Sequence, residues 1–303
     1  MLRSIRNFFQ ERKVLEVMTP CLGRFTVTSP HIKSLSLSIN DEVFFLQTSP
    51  EYAMKRLLAG GCGSIYQIAT VFRDGESGQR HNPEFTMLEW YRPNIDLKAL
   101  MVEVDQLLQD LCEEFSVERE KASFISYQNL FESKYQINPH LVSVNELRDL
   151  AKNHYPNLLA HLSSEASHDD LLDLLFSAGI EPRLLNPHFV YDYPRTQAQL
   201  AKLGERNGQC VAQRFELFWK GMELANGYDE LQDSEELSHR SLRDNEIRQS
   251  ESLPVVEMDS RLLSAIEEMP MCCGVALGLD RLQMLLFDQP SMKDVLSFDI
   301  DSV

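Results

Sequence analysis

The sequence has no Cys-x-x-Cys pair, no apolar run approaching the roughly 18–20 residues of a membrane helix, and no surplus of basic charge. Its six cysteines are Cys21, Cys62, Cys112, Cys210, Cys272 and Cys273. Their spacing excludes a zinc ribbon and makes reduced thiols in a cytoplasmic protein the expectation. Cys272 and Cys273 are adjacent, poor disulfide partners, and are expected to be buried packing. With 29 Lys and Arg against 46 Asp and Glu, the formal charge is −17. That argues against a protein that coats nucleic acid through a broad basic surface and leaves room for a local basic pocket. The loop G-x-x-x-x-G-K-[ST] is missing, and no G-x-G-x-x-G follows a strand. H-E-x-x-H, G-x-S-x-G and the nucleophilic cysteine signatures are missing too, which removes most familiar enzyme classes. The N-terminal stretch lacks the long apolar segment and small-residue cleavage site of a secretory signal.

What is present is an ordinary globular balance: 303 residues, 43% hydrophobic and 25% charged, enough for one large or two medium domains. A helix is expected over 2–12, then a short strand at Val14–Val17 ahead of Thr19-Pro20. Glu42–Leu46 reads as a strand, and the run from Pro50 as a helix with glycines just past its end. Ile65–Arg73 and Glu84–Arg92 are rich in strand formers and flank the polar stretch Asp74–Pro83, which predicts an antiparallel hairpin with a long tip. Leu97, Leu100, Met101, Val104, Leu107, Leu108 and Leu111 repeat with a helical period. Between about 123 and 205 five prolines weaken the pattern, and only Asp169–Phe176 reads clearly as helix. Strands Arg214–Trp219 and Met222–Ala225 meet at Lys220-Gly221. Residues 233–252 form a charged, solvated helix, and Gly274–Phe287 turns from strand into helix. His154, His161 and His168 recur every seven residues, which suggests an exposed helical face. The predicted class is α+β, an antiparallel sheet flanked by helices.

The chemistry-bearing residues are arginines and carboxylates on these strands. By the period of two, Phe85, Met87, Glu89 and Tyr91 share one face, while Thr86, Leu88 and Trp90 face the core. An ionised Glu89 beside Tyr91 on an open sheet face suits an ammonium group; the plainer alternative is a solvated face. Glu216, Glu223 and Glu230, seven residues apart, lie among aromatic residues on what look like hairpin strands. Glutamates are expensive to bury there unless they hold cations, which points to Mg²⁺ or substrate amines. The plainer alternative is a solvated edge. Phe215, Phe218, Trp219 and Met222 read as core. Arg73 ends a strand, and Arg281 sits in a strand-to-helix turn behind Gly278; arginine forks suit phosphate oxygens.

These segments together resemble the catalytic domain of the class II aminoacyl-tRNA synthetases, in its lysyl-type branch. Pro20 after the first helix and strand resembles motif 1, Phe72–Arg92 motif 2 and Gly274–Leu282 motif 3. Thr48–Tyr52 and Glu223–Leu231 resemble the family's amino-acid-binding segments. The five stand in the family's order and span nearly the whole chain. Ala276, where lysyl synthetases usually have glycine, and the wording HNPEFTMLEWYRP and ELANG resemble the branch's protein-modifying paralogues. Those enzymes join (R)-β-lysine to a lysine side chain of translation elongation factor P. Motif 1 begins at Met1, so the resemblance implies a single catalytic domain over 1–303, with about 123–205 a variable insertion and no anticodon-binding domain.

The resemblance implies a role for each matching residue. Arg73 would bind the α-phosphate, His81 and Asn82 the triphosphate and adenine end, and Phe85 and Arg281 would sandwich the adenine. Glu216 and Glu223 would hold Mg²⁺, with Leu224 and Gly278 near the nucleotide. Ser49, Glu51, Glu89, Tyr91, Asn226, Glu230 and Ala276 would line the β-lysine pocket. The implied reaction is adenylate formation with ATP and Mg²⁺, then transfer to elongation factor P, by a homodimer that uses neither tRNA nor a membrane. The chain departs from the family at Gly75, an ATP-binding position where a glutamate is usual, so that either the loop shifts by one residue and Glu76 serves or one ATP contact is lost, and at Asp229. Two other functions stay open: a truncated enzyme that activates α-lysine for another acceptor, and a regulatory paralogue without catalysis.

Overall fold

The structure, a computed structural model, describes residues 1–303. In chain order its elements begin with α1 (Leu2–Glu11), β1 (Leu15–Glu16), β2 (Leu22–Gly23), β3 (Ser36–Ile39), β4 (Glu42–Leu46) and α2 (Glu51–Ala59). Then come β5 (Ile65–Phe72), β6 (Glu84–Pro93), α3 (Leu97–Glu114), β7 (Ser123–Ser126), α4 (Tyr127–Tyr135), α5 (Val144–His154), α6 (Pro156–Leu159) and α7 (His168–Gly179). The last are β8 (His188–Pro194), β9 (Leu203–Arg206), β10 (Gln209–Trp219), β11 (Met222–Asp229), α8 (Ser234–Ser250), α9 (Ser260–Ile266), β12 (Cys272–Gly278) and α10 (Leu279–Leu286). They fall into two compact units, one made of 1–118 with 229–303 and the other of 119–228.

In the first unit β5 pairs in parallel with β1 and antiparallel with β6, and β6 pairs antiparallel with β12. A separate antiparallel sheet runs β2-β4-β3. The predicted hairpin is therefore β5 and β6, with the polar stretch at its tip. α1 buries Ile5, Phe8 and Phe9 and leaves Arg3 and Arg6 exposed. Phe9 stacks on Tyr66 at 4.3 Å between centroids and meets Trp90 edge-on at 5.4 Å. Trp90, predicted as core, is fully buried, and its indole N–H donates to Glu103 at 3.0 Å. Each such side chain contributes about 1.5–3 kcal/mol by leaving water. α3 carries the predicted stripe, with Asp96 capping its first turn through Ala99 N–H. α8 is charged as predicted, though Leu237, Ser241 and Arg248 are buried. Cys272 and Cys273 are buried free thiols, matching the packing role expected for them.

The second unit is also built on a mostly antiparallel sheet: β10 pairs with β8, β9 and β11, and β7 lies parallel to β8. Its core is aromatic, with Tyr127, Phe131, Tyr135, Phe176, Tyr193 and Phe218 among the buried residues. The stretch 123–205 looked irregular because its prolines mark element boundaries. Pro156 opens α6, Pro182 opens a 3₁₀ turn, Pro187 precedes β8 and Pro194 ends it. Ser143 with Glu146, and Ser167 with Asp170, form capping boxes that start α5 and α7. The three histidines do not share one helical face. His154 ends α5, His161 lies in the turn after α6, and His168 opens α7, because Pro156 and Ser167 break what the seven-residue period would join.

Candidate active site

On the first unit's sheet, cross-strand partners share a face, and the register assembles that face from three strands. Gln67, Glu89 and Ala276 are in line, as are Ile65, Tyr91 and Gly274, and Ala69, Met87 and Gly278. Opposite Tyr91, Glu89 and Met87, β12 thus contributes only the small residues Gly274, Ala276 and Gly278, which leaves room above the sheet. At Gly274 no side chain fits: a Cβ there would stand 2.4 Å from Glu230 Oε1 and 2.4 Å from the Tyr91 ring. Three glutamates converge in the space so formed.

Glu89 is 2% exposed. Its Oε1 accepts from the Tyr91 hydroxyl and its Oε2 from the Ser49 hydroxyl, each at 2.6 Å. The face expected to be open is therefore closed, because Tyr91 and the Ser49 loop cover Glu89. Ser49 Oγ also accepts from Glu51 N–H at 3.0 Å, which ties the loop to the start of α2. Between Glu51 and Glu230 stands a residue that the sequence reading did not single out. Lys55 is fully buried, and its Nζ lies 2.7 Å from Glu51 Oε1 and 2.7 Å from Glu230 Oε2. Both are close ionic contacts whose directions depart from ideal hydrogen bonds. A signal was available: Lys55 falls on the face of α2 that buries Met54 and Leu58, where a solvated lysine has no place.

Burial and then the charge of Glu51 push Glu89 up to about 7. Burial is also the main cause that lifts Glu230 to about 8, against the pull of Lys55. For Lys55 burial favours the neutral amine, but the charges of Glu230 and Glu51 outweigh it and hold the ammonium charged. Burial, followed by the charges of Glu89, Glu51 and Glu230, raises Tyr91 far above its ordinary range, so its hydroxyl stays a donor. A cavity of about 330 Å³ adjoins this cradle, lined by Ser49 and Glu51 and by Arg24, Arg56 and Arg261. That size is at the small end for ligand pockets and suits a small polar molecule.

The cradle meets an arginine across one peptide unit. Ser49 donates to Glu89, while the carbonyl of Thr48 accepts from Arg73 Nε at 3.3 Å. Arg73 lies over the Phe85 ring at 5.2 Å and pairs with Glu76 at 3.4 Å. Gly75 has φ of +79°, a left-handed turn that favours glycine over the family's usual glutamate, and the turn brings the next residue, Glu76, to Arg73. Arg281 contacts His81 Nε2 and donates to the carbonyl of Arg80 at 3.3 Å. Burial and then Arg281 lower His81, which keeps its ring neutral. Arg281 is aimed by its neighbour: buried Asp280 accepts from Thr86 N–H at 2.6 Å and fastens the start of α10 to β6, next to Gly278. Asn82, expected at the nucleotide, donates its amide to Glu84 O at 2.7 Å and accepts from Ile300 N–H at 3.1 Å.

The second unit holds Glu216, Glu223, Leu224 and Asn226 on β10 and β11. Glu216 pairs with Asn226, Phe218 with Glu223 and Trp219 with Met222, and the register slips by one residue at Leu224. Without that bulge Glu223 would oppose Trp219 and face away from Glu216. With it, the two carboxylates share a face although seven residues separate them. Buried Arg214, another residue missed in the sequence, contacts Glu216, donates to Asn226 Oδ1 at 3.2 Å and to Gln197 O at 2.8 Å. Tyr193 donates to the other oxygen of Glu216 at 2.7 Å. No cluster of three or more His, Cys, Asp or Glu side chains forms a complete metal site. Glu216 and Glu223 share a face and have the donor chemistry Mg²⁺ takes from protein, one or two carboxylates with water and phosphate oxygens at its remaining octahedral positions, while Arg214 and Tyr193 engage both oxygens of Glu216 in this structure.

Comparison with known proteins agrees with this geometry. The family model "tRNA synthetases class II (D, K and N)" matches residues 1–302. A protein of Photorhabdus laumondii named "Elongation factor P--(R)-beta-lysine ligase" is 44% identical over 309 residues, which covers 99% of this chain and 93% of the relative. Proteins of the same name from Haemophilus influenzae and Histophilus somni are 44% and 43% identical, over 100% and 99% of this chain and 93% of each relative. With a mostly antiparallel sheet in each unit and a match along the full length, the chain belongs to the class II tRNA synthetase family of the D, K and N type.

Proposed function

We propose that this chain is an ATP-dependent ligase that activates (R)-β-lysine as an aminoacyl-adenylate and passes it to a lysine side chain of translation elongation factor P. One observation carries the reading beyond the family: the cradle of Glu51, Glu89 and Glu230 around Lys55. When ionised, three carboxylates less one ammonium leave two negative charges, which is the complement of a diamine. The names of the relatives supply the acceptor and the stereochemistry.

The residues divide the work as follows. Glu51, Glu89 and Glu230 would receive the two ammonium groups, with Ser49, Tyr91 and Ala276 shaping the space. This would leave the ligand's carboxylate toward Arg73, one peptide unit away. Its oxygen attacks the α-phosphorus, the bond to the β-phosphate oxygen breaks, and pyrophosphate departs. Arg73 stabilises the charge that builds on the α-phosphate, while Phe85 and Arg281 hold the adenine and His81 the triphosphate. Mg²⁺ at Glu216 and Glu223 would offset phosphate charge when bound. The neutral amine of the acceptor lysine then attacks the acyl carbon, AMP leaves and an amide forms. No covalent protein nucleophile is needed, so positioning and charge supply the rate.

We further propose a homodimer built on the motif 1 region, where Leu15, Met18 and Leu22 are exposed apolar residues, and a protein acceptor in place of tRNA. Light scattering at micromolar concentration tests the first: a monomer removes it. ATP–pyrophosphate exchange with (R)-β-lysine, (S)-β-lysine and α-lysine tests the activity. Exchange strongest with (R)-β-lysine is expected. Preference for α-lysine would point to a truncated synthetase, and no exchange with any of them to a regulator.

A further inference from the structure

Lys55 is the feature of the cradle that the ligand's chemistry leaves unexplained, since a site that takes up cations has no evident need of one of its own. A methionine would pack on the same face of α2 as Met54 and Leu58 without the cost of burying an ammonium. Yet Lys55 is fully buried at 2.7 Å from both Glu51 and Glu230. Three carboxylates crowded in a buried cradle resist ionising together, and the pull of Lys55 on Glu230 opposes that resistance; without this internal counter-ion they would hold their protons more tightly still and present neutral acids, which are poor partners for an ammonium.

We propose that Lys55 is a positioning and specificity-determining residue, a resident ammonium seated between Glu51 and Glu230 that offsets one of the cradle's three carboxylates once a ligand has drawn them into their charged form, so that the unmet charge is two and a ligand with two ammonium groups is preferred to a ligand with one. The inference rests on the diamine reading above and deepens it. Lys55 does this through the glutamates and contributes no group to the reaction.

The test follows from counting charges. Glu230→Gln leaves Glu51 and Glu89 against Lys55, one unmet negative charge. Adding Lys55→Met restores two, although it alters the cradle a second time. In ATP–pyrophosphate exchange the double variant should have a KM for (R)-β-lysine at least about fivefold below that of Glu230→Gln, with kcat changing less. Selectivity over (R)-3-aminohexanoic acid, which lacks the terminal amine, should fall in the single variant and recover in the double. A purely structural lysine predicts the reverse, because the second lesion would add to the first. A double variant no better than the single therefore overturns the proposal. Lys55→Met alone should raise the KM by about tenfold or more at neutral pH. Should that variant fail to fold, the double still decides, since neither partner of the Lys55–Glu230 contact remains. Melting temperatures of all variants keep lost fold apart from lost affinity. Failure of the β-lysine reading shows separately, as wild-type exchange with α-lysine alone, and the same variants compared on α-lysine still judge Lys55. If the wild type exchanges with neither, the rise in melting temperature caused by each diamine gives the same comparison.

Discussion

The strand β6 carries two unlike sites. At one end Glu89 and Tyr91 are each 2% exposed, in a cradle whose charges are partly met from within by Lys55. At the other, Phe85 is half-buried beside Arg73, whose side chain is 23% exposed, and the arginines there lean on backbone carbonyls, Glu76 and His81. On the proposed function the difference follows from what each end would hold. A small diamine would bring little binding surface, so a buried, closed and preorganised site, where each charge counts most, suits it. A nucleotide brings several negative charges, so its side can stay open and let the ligand complete the neutralisation.

The sharpest way to break this comparison is to remove the open end's charge. Arg281→Ala should lower adenylate formation by about 10²–10³-fold while leaving the melting temperature nearly unchanged, since Arg281 is only half-buried. Near-normal pyrophosphate exchange would refute its role, and a large drop in melting temperature would erase the contrast with Lys55.

Next in size is the response to pH, which should have opposite signs for fold and ligand. Glu89 rises from an ordinary 4.5 to about 7 and Glu230 to about 8. Both bind protons more tightly in the folded chain. Their contribution to stability is therefore complete below their unfolded value and is lost as pH climbs through 7 and 8. A diammonium ligand favours the ionised carboxylates, so its affinity should rise through that same window, by up to about tenfold per pH unit for each proton released. Calorimetry in buffers of different ionisation enthalpy should detect that release. His81 is already neutral there, so ATP affinity should be nearly flat. A parallel slope for ATP would show that the two ends are coupled.

The smallest effect concerns shape. Ala276 lies beside Glu89 on the cradle face and packs near Phe85 and Met87. Ala276→Gly should shift preference from β-lysine toward α-lysine by about tenfold or less, the scale of one methyl group. Unchanged selectivity in competitive exchange would remove this residue as a determinant.

Much of this was legible in the chain because local rules agreed with the fold. The periods of α3, β5 and β6, the Lys220-Gly221 turn and the strand-to-helix change at Gly278 are written in nearest neighbours. So were the motif segments and most of the carboxylates and arginines they contain. The region 123–205 was obscure because its helices are short and interrupted by proline-bearing turns and serine caps, so that an aromatic core assembled from α4, α7, β8 and β10 leaves no single period to read.

Sequence alone determined the class, the family resemblance and which residue types could carry the chemistry, since these depend on composition, period and order. Tertiary structure alone decided the arrangement of charge. A bulge at Leu224 turned Glu223 to the face of Glu216, β12 gave the floor its small residues, and a lysine from α2 came to rest between two glutamates about 180 residues apart in the chain. Pairing register and burial are properties of distant segments meeting, and the energy of a charge depends on that meeting far more than on its neighbours in sequence.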